Sequence, residues 1–177
     1  NIRFEFSDID QASAFATLFT GSNPCFSGIA GDKTFDFEKE KEVSILNDPE
    51  YLGNYTKENY SPKNLFSSTI GDELKIASQG RSDVYSIAPD AESAILSAGH
   101  AANGAFWMDN TNGKWATTTY YKGIPWYVDR YNNGPESLAS RLETMVWTPT
   151  LPMEKYDAFP YVLDDLPFRY TCLLYTS

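Results

Sequence analysis

The chain has 177 residues, with 24 acidic and 14 basic side chains and a formal net charge of −10. This acidic balance argues against nucleic-acid binding, which needs a basic face, and no apolar run is long enough to span a bilayer. The length suits one domain with a sizeable core, the aromatic content of 15% is typical of a globular chain, and Cys25 and Cys172 define no disulfide framework.

The first predicted elements are a strand and a helix. Aromatic and polar residues alternate over residues 2–6, as in a strand already in progress. Asp8 or Asp10 is placed to cap a helix that ends at Thr20 and Gly21. Charges and aromatics then alternate over residues 36–42, which predicts a solvated excursion of the chain.

A second helix is predicted over residues 61–80. Ser61 is a capping residue type, the next residue is a proline suited to the first helical position, and Gly80 suits the end. Four apolar residues recur on one face at helical spacing: Phe66, Ile70, Leu74 and Ala77. A helix of this kind is marginal in isolation, so we expect this face to be buried.

The following segment predicts a strand, a short helix and another strand. Val84 to Ile87 suit a buried strand, Pro89 and Asp90 suit a helix start, and Gly99 suits the left-handed end of a helix over residues 91–98. A second strand begins near residue 105. This succession predicts an α/β layered sheet with flanking helices.

The remaining elements are a hairpin and two short helices. Residues 109–114 contain Asn-Gly, which tolerates the positive φ of a hairpin turn, and residues 115–121 are its return strand. Residues 125–131 and 135–142 are predicted as helices, and residues 147–152, broken by two prolines, as extended. Both ends look cut. The last six residues, 172–177, resemble a translated sequencing-adaptor artefact, which leaves residues 1–171 as an incomplete piece of one domain.

Several stretches together resemble a known superfamily. They are residues 20–24, 28–32, 61–75, 94–107, 147–156 and 159–161. They are similar to alkaline phosphatases, and most of all to the branch with type I phosphodiesterases, nucleotide pyrophosphatases and bacterial phosphate-irrepressible alkaline phosphatases. The resemblance implies an alkaline-phosphatase-like α/β fold and metal-dependent hydrolysis of phosphoesters. In that family residues 43–60 join the nucleophile helix to the next one, as a substrate-side loop or a wrapped surface segment.

The resemblance also implies where the nucleophile should stand. Relatives present a Thr or Ser at the amino-terminal end of the first helix, where N–H groups and the helix dipole stabilise an alkoxide and bind phosphate oxygens. Counted back from Thr20 and Gly21, this position is Gln11. Glutamine cannot attack phosphorus, and the nearest hydroxyls along the chain, Ser7 and Ser13, are out of register.

The positions that hold phosphate in relatives are changed as well. Asp32 stands where relatives often carry an asparagine that donates to a phosphate oxygen, and an ionised Asp only accepts. Asp90 and Glu92 lie in the loop where relatives place a Lys and an Arg, and no basic residue occurs between Arg81 and Lys114. Asp8, Asp10 and Asp90 are also typical helix caps, so capping alone is an equally good interpretation of these carboxylates.

The family also implies two zinc ions, held by Asp and His ligands that would lie outside this chain. The single histidine, His100, follows a helix stop. A zinc site needs three or four converging ligands, so we expect His100 to be structural, no metal held by this chain, and no catalysis by this piece alone.

Two functions follow. One is a zinc-dependent phosphoester hydrolase acting on a small-molecule ester, and the other is a catalytically degenerate binding or structural protein. The resemblance further implies a periplasmic or otherwise exported protein. From charge and hydropathy we expect no nucleic-acid partner and no membrane span. The substituted residues favour the degenerate interpretation, while the family favours the hydrolase.

Overall fold

The structure, a computed structural model, describes residues 6–7, 9–37, 39–147 and 168–169. These residues fall into two compact units. The first contains the chain up to Asp109 together with Trp115–Pro125, and the second contains Asn110–Lys114 together with the chain from Trp126 onward. The predicted tail at 172–177 and most of the predicted first strand lie outside the described residues.

The first unit carries the helices and strands of the candidate site. Its helices are α1 (Gln11–Thr20), α2 (Pro24–Ser27), α3 (Ile70–Ala77) and α4 (Ala91–Ala98). Its strands are β1 (Lys33–Asp36), β2 (Lys41–Ser44), β3 (Gly53–Asn54), β4 (Tyr85–Ala88), β5 (Gly104–Met108) and β6 (Trp115–Thr118). Strands β1 and β2 form an antiparallel hairpin where the sequence predicts only a solvated excursion.

The other four strands form one mixed sheet in the order β3-β6-β5-β4. Strands β4 and β5 are parallel, with Tyr85 opposite Gly104 and Ala88 opposite Trp107, while β5–β6 and β3–β6 are antiparallel. Helix α4 connects the parallel pair, as a crossover between parallel strands requires. The predicted strand–helix–strand succession is therefore confirmed. The predicted burial of the first strand is wrong, because β4 is an edge strand of this sheet and Tyr85 and Ile87 are exposed.

Helices α1 and α4 pack closely because small side chains lie between them. Ala12 and Ala16 of α1 and Ala94 and Ala98 of α4 are completely buried, and small residues let two helix backbones approach each other. Larger buried side chains complete the core around them: Ile29, Leu46, Leu65, Ile95, Leu96 and Trp107. The core thus fixes α1 against α4.

The predicted caps of α1 and α4 are confirmed. Asp10 is the N-cap of α1 and Gly21, at φ +67°, is its left-handed C-cap. Asp90 is the N-cap of α4 and Gly99 its C-cap, at φ +73° and ψ −154° instead of the predicted left-handed helical conformation. Both helices begin and end at the predicted residues, and Asp8 lies outside the described residues.

The predicted start of the helix over residues 61–80 is wrong. Helix α3 begins only after Thr69, whose hydroxyl accepts from the backbone N–H of Asp72 at 3.2 Å, while Oδ2 of Asp72 accepts from the N–H of Thr69 at 2.9 Å. The Ser61 hydroxyl accepts from the backbone N–H of Lys63 at 3.2 Å and donates to the buried carboxylate of Asp48 at 2.6 Å. The residues after it form only a turn, so the cap-like contact of Ser61 starts no helix.

The expected burial of this helix face is wrong as well. The exposed fractions are 75% for Phe66, 67% for Ile70 and 50% for Leu74. Helix α3 therefore presents its apolar side outward, and its fixed contacts come from Asp72, which is buried and also accepts from the backbone N–H of Ala101 at 2.7 Å.

The second unit contains α5 (Trp126–Asn132), α6 (Leu138–Thr144) and an antiparallel pair of β7 (Val146–Trp147) and β8 (Phe168–Arg169). The predicted helix over residues 125–131 is confirmed as α5, whereas α6 begins later than predicted because Ser137 is its N-cap. The predicted extended stretch 147–152 lies mostly outside the described residues. None of the described helices has the length and hydropathy needed to cross a membrane.

Candidate functional site at the amino-terminal ends of α1 and α4

The amino-terminal end of α1 is built around the carboxylate of Asp10. Its Oδ1 accepts from the backbone N–H of Ser13 at 2.7 Å, and its Oδ2 accepts from the backbone N–H of Asp32 at 2.6 Å. Burial raises the pKa of Asp10, but these hydrogen bonds outweigh it and the pKa is lowered overall. Asp10 therefore caps α1 and holds the loop with Asp32 beside the helix end.

Gln11 is the first residue of α1 and is exposed. Its Nε2 donates to Oγ of Ser93 at 2.8 Å, a contact between residues 82 positions apart. Ser93 lies in the first turn of α4 and is only 3% exposed. The hydrogen bond therefore joins the amino-terminal ends of the two helices at the position that the family resemblance assigns to the nucleophile.

Asp90 makes the matching contacts at the start of α4. Its Oδ1 accepts from the backbone N–H of Ser93 at 2.8 Å, and its Oδ2 accepts from the Ser93 hydroxyl at 3.0 Å. The carboxylate suits the positive end of the helix dipole. Gln11 and Asp90 are thus connected through one serine hydroxyl, which the sequence analysis missed because the contact depends on tertiary packing.

Glu92 follows in the first turn of α4 and is half-buried. Burial raises its pKa, a hydrogen bond from its own backbone N–H opposes this, and the charges of Asp90, Asp32 and Glu58 raise it further. We call Asp32, Glu58, Asp90 and Glu92 the acidic cluster. Gln11 is linked to Asp90 through Ser93, and Glu92 interacts with the charges of Asp90, Asp32 and Glu58. Glu58 and Ser93 are additional to the residues named from the sequence, whose roles stay a prediction.

Tyr60 borders the acidic cluster. Burial, the charge of Glu58 and that of Glu92 raise the pKa of its phenol, and a hydrogen bond with Ser44 opposes them. Its ring packs on Trp107, with the ring centroids 6.5 Å apart. The phenol therefore stays protonated and neutral, and it gives the acidic cluster no positive charge.

The charge of Glu92 is expected to lower stability at neutral pH. A carboxyl whose pKa is raised by folding binds more protons in the folded than in the unfolded state, so the free energy of unfolding falls as pH rises above the usual value near 4.5. Glu92→Gln should therefore raise the melting temperature at pH 7, and the gain should shrink as the pH approaches 4. Thermal melts of both proteins across this range measure the effect.

Glu50→Gln is the matched control, because Glu50 is exposed and makes no part of the acidic cluster. It should leave the pH profile unchanged. An equal gain from both substitutions at pH 7 would show that Glu92 carries no special repulsion.

The residues of this site do not fit a metal centre. Within the described ranges, no group of three or more His, Cys, Asp or Glu side chains is arranged to hold a metal ion. His100 is exposed; its Nε2 hydrogen-bonds the carbonyl oxygen of Leu65 at 2.7 Å, and its Nδ1 lies 3.4 Å from the hydroxyl of Tyr120. Both ring nitrogens of His100 thus lie near polar groups of the fold, and its structural role stays a prediction.

The fold around this site is that of part of an alkaline phosphatase domain. The crystal structure of alkaline phosphatase PafA superposes with a TM-score of 0.70 and 36% sequence identity, over 83% of this chain and 29% of that chain. A PafA variant in which a threonine became serine, and an asparagine, a lysine and an arginine became alanine, gives a TM-score of 0.69 at 36% identity, over 82% and 29% of the two chains. The predicted alkaline-phosphatase-like α/β fold, present as a part of the domain, is confirmed.

Curated proteins show the same similarity in sequence. Alkaline phosphatase PafA of Elizabethkingia meningoseptica is 35% identical over 161 residues, which cover 88% of this chain and 29% of that protein. Alkaline phosphatase PhoV of Synechococcus elongatus is 34% identical over 159 residues, 85% of this chain and 28% of that protein. A protein of Myroides odoratus named calcium-transporting ATPase is 36% identical over 149 residues, 82% of this chain and 27% of that protein.

The chain thus spans less than a third of the length of these relatives. No protein-family model matches it. The similarities support a relationship with the phosphoester hydrolases of the alkaline phosphatase superfamily over this part of their sequence.

Proposed function

We propose that this chain is a part of an alkaline phosphatase superfamily protein, of the branch with phosphodiesterases and nucleotide pyrophosphatases, whose phosphoryl-binding centre is catalytically degenerate. The observation that supports this proposal is the hydrogen bond between Gln11 and Ser93, close to the acidic cluster. An amide occupies the nucleophile-equivalent position, and Ser93 links it to the carboxylate of Asp90. Such a protein would serve as an exported binding or structural protein rather than as a phosphatase.

The spacing of residues in the solved PafA variant supports these equivalences. Its substituted threonine and asparagine stand as far apart along their sequence as Gln11 and Asp32 do here, and its lysine and arginine are separated as Asp90 and Glu92 are. The loop that leads to Asp90 differs in length from its counterpart. The correspondence of Gln11 and Asp32 is therefore the firmer one.

The negative charges of Asp32, Asp90 and Glu92 disfavour a phosphate ligand at this site. Two unit charges about 4 Å apart interact by roughly 4 kcal/mol at an effective dielectric constant of about 20. A phosphate dianion beside Asp32, Asp90 and Glu92 would meet repulsion where basic residues would supply attraction. At each helix end one backbone N–H group, that of Ser13 and that of Ser93, is already used by the cap carboxylates of Asp10 and Asp90, which reduces the number of donors that a phosphate could use.

The proposal predicts that the native chain does not bind phosphate at this site. In a ¹⁵N-labelled sample titrated with inorganic phosphate or tungstate, the backbone amides of Ala12, Ser13 and Ser93 should show no saturable shift up to tens of millimolar. Matched additions of sodium chloride control for ionic strength. Saturable binding in the millimolar range at these amides would overturn the proposal.

A second candidate is a zinc-dependent phosphoester hydrolase, favoured by the similarity to the alkaline phosphatases PafA and PhoV. In this case the metal ligands and the nucleophile would come from parts of a longer protein. Turnover of a chromogenic phosphodiester by a longer protein containing this chain, present with zinc and lost on chelation, would favour this candidate.

A further inference from the structure

The direction of the hydrogen bonds at Ser93 is fixed by its partners. A serine hydroxyl has one proton to donate, and an ionised carboxylate only accepts. The Ser93 hydroxyl lies 3.0 Å from Oδ2 of Asp90, so its proton points to Asp90. Its oxygen must then accept from Gln11, and only the NH₂ group of the Gln11 amide can donate at 2.8 Å.

This chain of contacts also fixes which atom of Gln11 faces away. Because the NH₂ group is held by Ser93, the carbonyl oxygen of the amide is the atom turned from it. We propose that Ser93 is a positioning residue. The charge of residue 90 orients the Ser93 hydroxyl, and this hydroxyl orients the Gln11 amide so that its carbonyl oxygen is the hydrogen-bond acceptor at the end of α1. This inference rests on the proposed equivalence of Gln11 with the nucleophile position.

The orientation of the Gln11 amide decides whether this position offers a ligand a hydrogen-bond donor or an acceptor. An acceptor oxygen offers nothing to a phosphate oxygen, which is itself an acceptor. If residue 90 instead donated to Ser93, the Ser93 proton would be released toward Gln11. The Gln11 amide would then reverse and present its NH₂ group. The charge at residue 90 thereby acts at two places, directly and through the orientation of the amide.

Asp90→Asn tests this transmission in the chain as it exists. Asn is as good an N-cap as Asp, so α4 should keep its start, but the Asn NH₂ group would donate to the Ser93 oxygen. The readout is hydrogen exchange of the Gln11 side-chain NH₂ group, with nuclear Overhauser contacts to the Ser93 Hβ protons. Exchange should be slowed in the native chain and about five to ten times faster in Asp90→Asn, on the order of one lost hydrogen bond.

Three further variants separate transmission from a general loss of structure. Ser93→Ala should also release the Gln11 NH₂ group, and Asp90→Asn should have no added effect in that background. Ser93→Thr keeps the hydroxyl and should keep the protection. Ser97→Ala is the matched control: it removes a hydroxyl one turn along α4, bonded to the Ser93 carbonyl oxygen at 2.6 Å, and should leave Gln11 unchanged.

Two results would overturn the inference. One is unprotected Gln11 NH₂ protons in the native chain, and the other is equal protection in the native chain and Asp90→Asn. Both results concern the orientation of the Gln11 amide, whereas the proposed function is tested by measuring phosphate binding to the native chain. The two proposals can therefore fail separately.

Discussion

Gly99→Ala is expected to destabilise the first unit by about 3 kcal/mol or more. Gly99 has φ +73° and ψ −154°, a region that is essentially restricted to glycine. A Cβ atom at this position would also collide with the side chains of Thr69 and Asp72, which are 0% and 5% exposed. The cost of the backbone conformation and the cost of the steric overlap therefore add at Gly99.

The contacts of Asp72 explain why the overlap cannot be relieved cheaply. Its carboxylate accepts from the N–H of Thr69 at 2.9 Å and from the N–H of Ala101 at 2.7 Å. Moving the carboxylate would leave the buried N–H of Thr69 unpaired, at about 1–3 kcal/mol, and would also break the partly buried contact with Ala101. Gly99 is thus where the start of α3 packs against the end of α4.

Chemical denaturation of the native chain and the variant measures the effect. Gly80→Ala is the matched control, because Gly80 also has positive φ, at +77°, but has no atom within 4 Å of an added Cβ. It should cost about 1 kcal/mol. Equal losses for the two variants would mean that only backbone conformation matters at Gly99.

The sequence predicted those elements whose ends are marked by local signals. Asp10 and Gly21 bracket α1, and Asp90 and Gly99 bracket α4. A cap acts through side-chain contacts with the first turn of its own helix, so it can be read without knowledge of the fold. Strands β4 and β5 were predicted on either side of α4, but only β5 has the predicted apolar, buried character; β4 is an edge strand with Tyr85 and Ile87 exposed.

Helix α3 shows the limit of predicting helix ends from local sequence signals. Both Ser61 and Thr69 are capping residue types, and only Thr69 has an acidic residue three positions later to complete a reciprocal cap. That signal was present in the sequence, but Pro62 and the apolar spacing favoured the earlier start. The contact of Ser61 with Asp48 depends on the loop before β3, which no helical pattern reports.

The candidate site likewise contains residues that could be named from the sequence and residues that could not. Gln11, Asp32, Asp90 and Glu92 were named from the family resemblance, and the structure places them together. Ser93 was missed because its hydroxyl meets a residue 82 positions away, and nothing in the sequence around α4 marks it as more than a helix residue. Asp32 and Glu58 lie in loops, and Asp32 is held beside α1 by a hydrogen bond to Asp10, so their position near Asp90 and Glu92 depends on tertiary structure and not on sequence spacing.

Restoring the residue types of phosphate-binding relatives is expected to create phosphate binding at this site. The variant combines Gln11→Thr, Asp32→Asn, Asp90→Lys and Glu92→Arg. Three carboxylates are lost and two cations are gained beside the ends of α1 and α4. A close charge pair contributes roughly 4 kcal/mol at an effective dielectric constant of about 20, and solvent screening reduces this at a half-exposed site. We expect affinity for inorganic phosphate to rise by about 100-fold or more.

Isothermal titration with phosphate and with tungstate, at low and high salt, measures this gain. A control with the same change in charge at exposed positions of the first unit, Glu40→Gln, Glu42→Lys and Glu50→Arg, should bind neither anion saturably. Binding by the control would assign the effect to net charge. Loss of the Asp90 cap costs about 1 kcal/mol, so both proteins are first compared by thermal melting.

The single substitutions should rank by charge and not by the presence of a nucleophile. Gln11→Thr alone should leave phosphate affinity near that of the native chain, because the carboxylates of Asp32, Asp90 and Glu92 still repel the anion. Asp90→Lys and Glu92→Arg together should account for most of the gain, since each replaces repulsion by attraction. If Gln11→Thr alone produced the binding, electrostatic repulsion by the acidic cluster would not be what excludes phosphate from this chain.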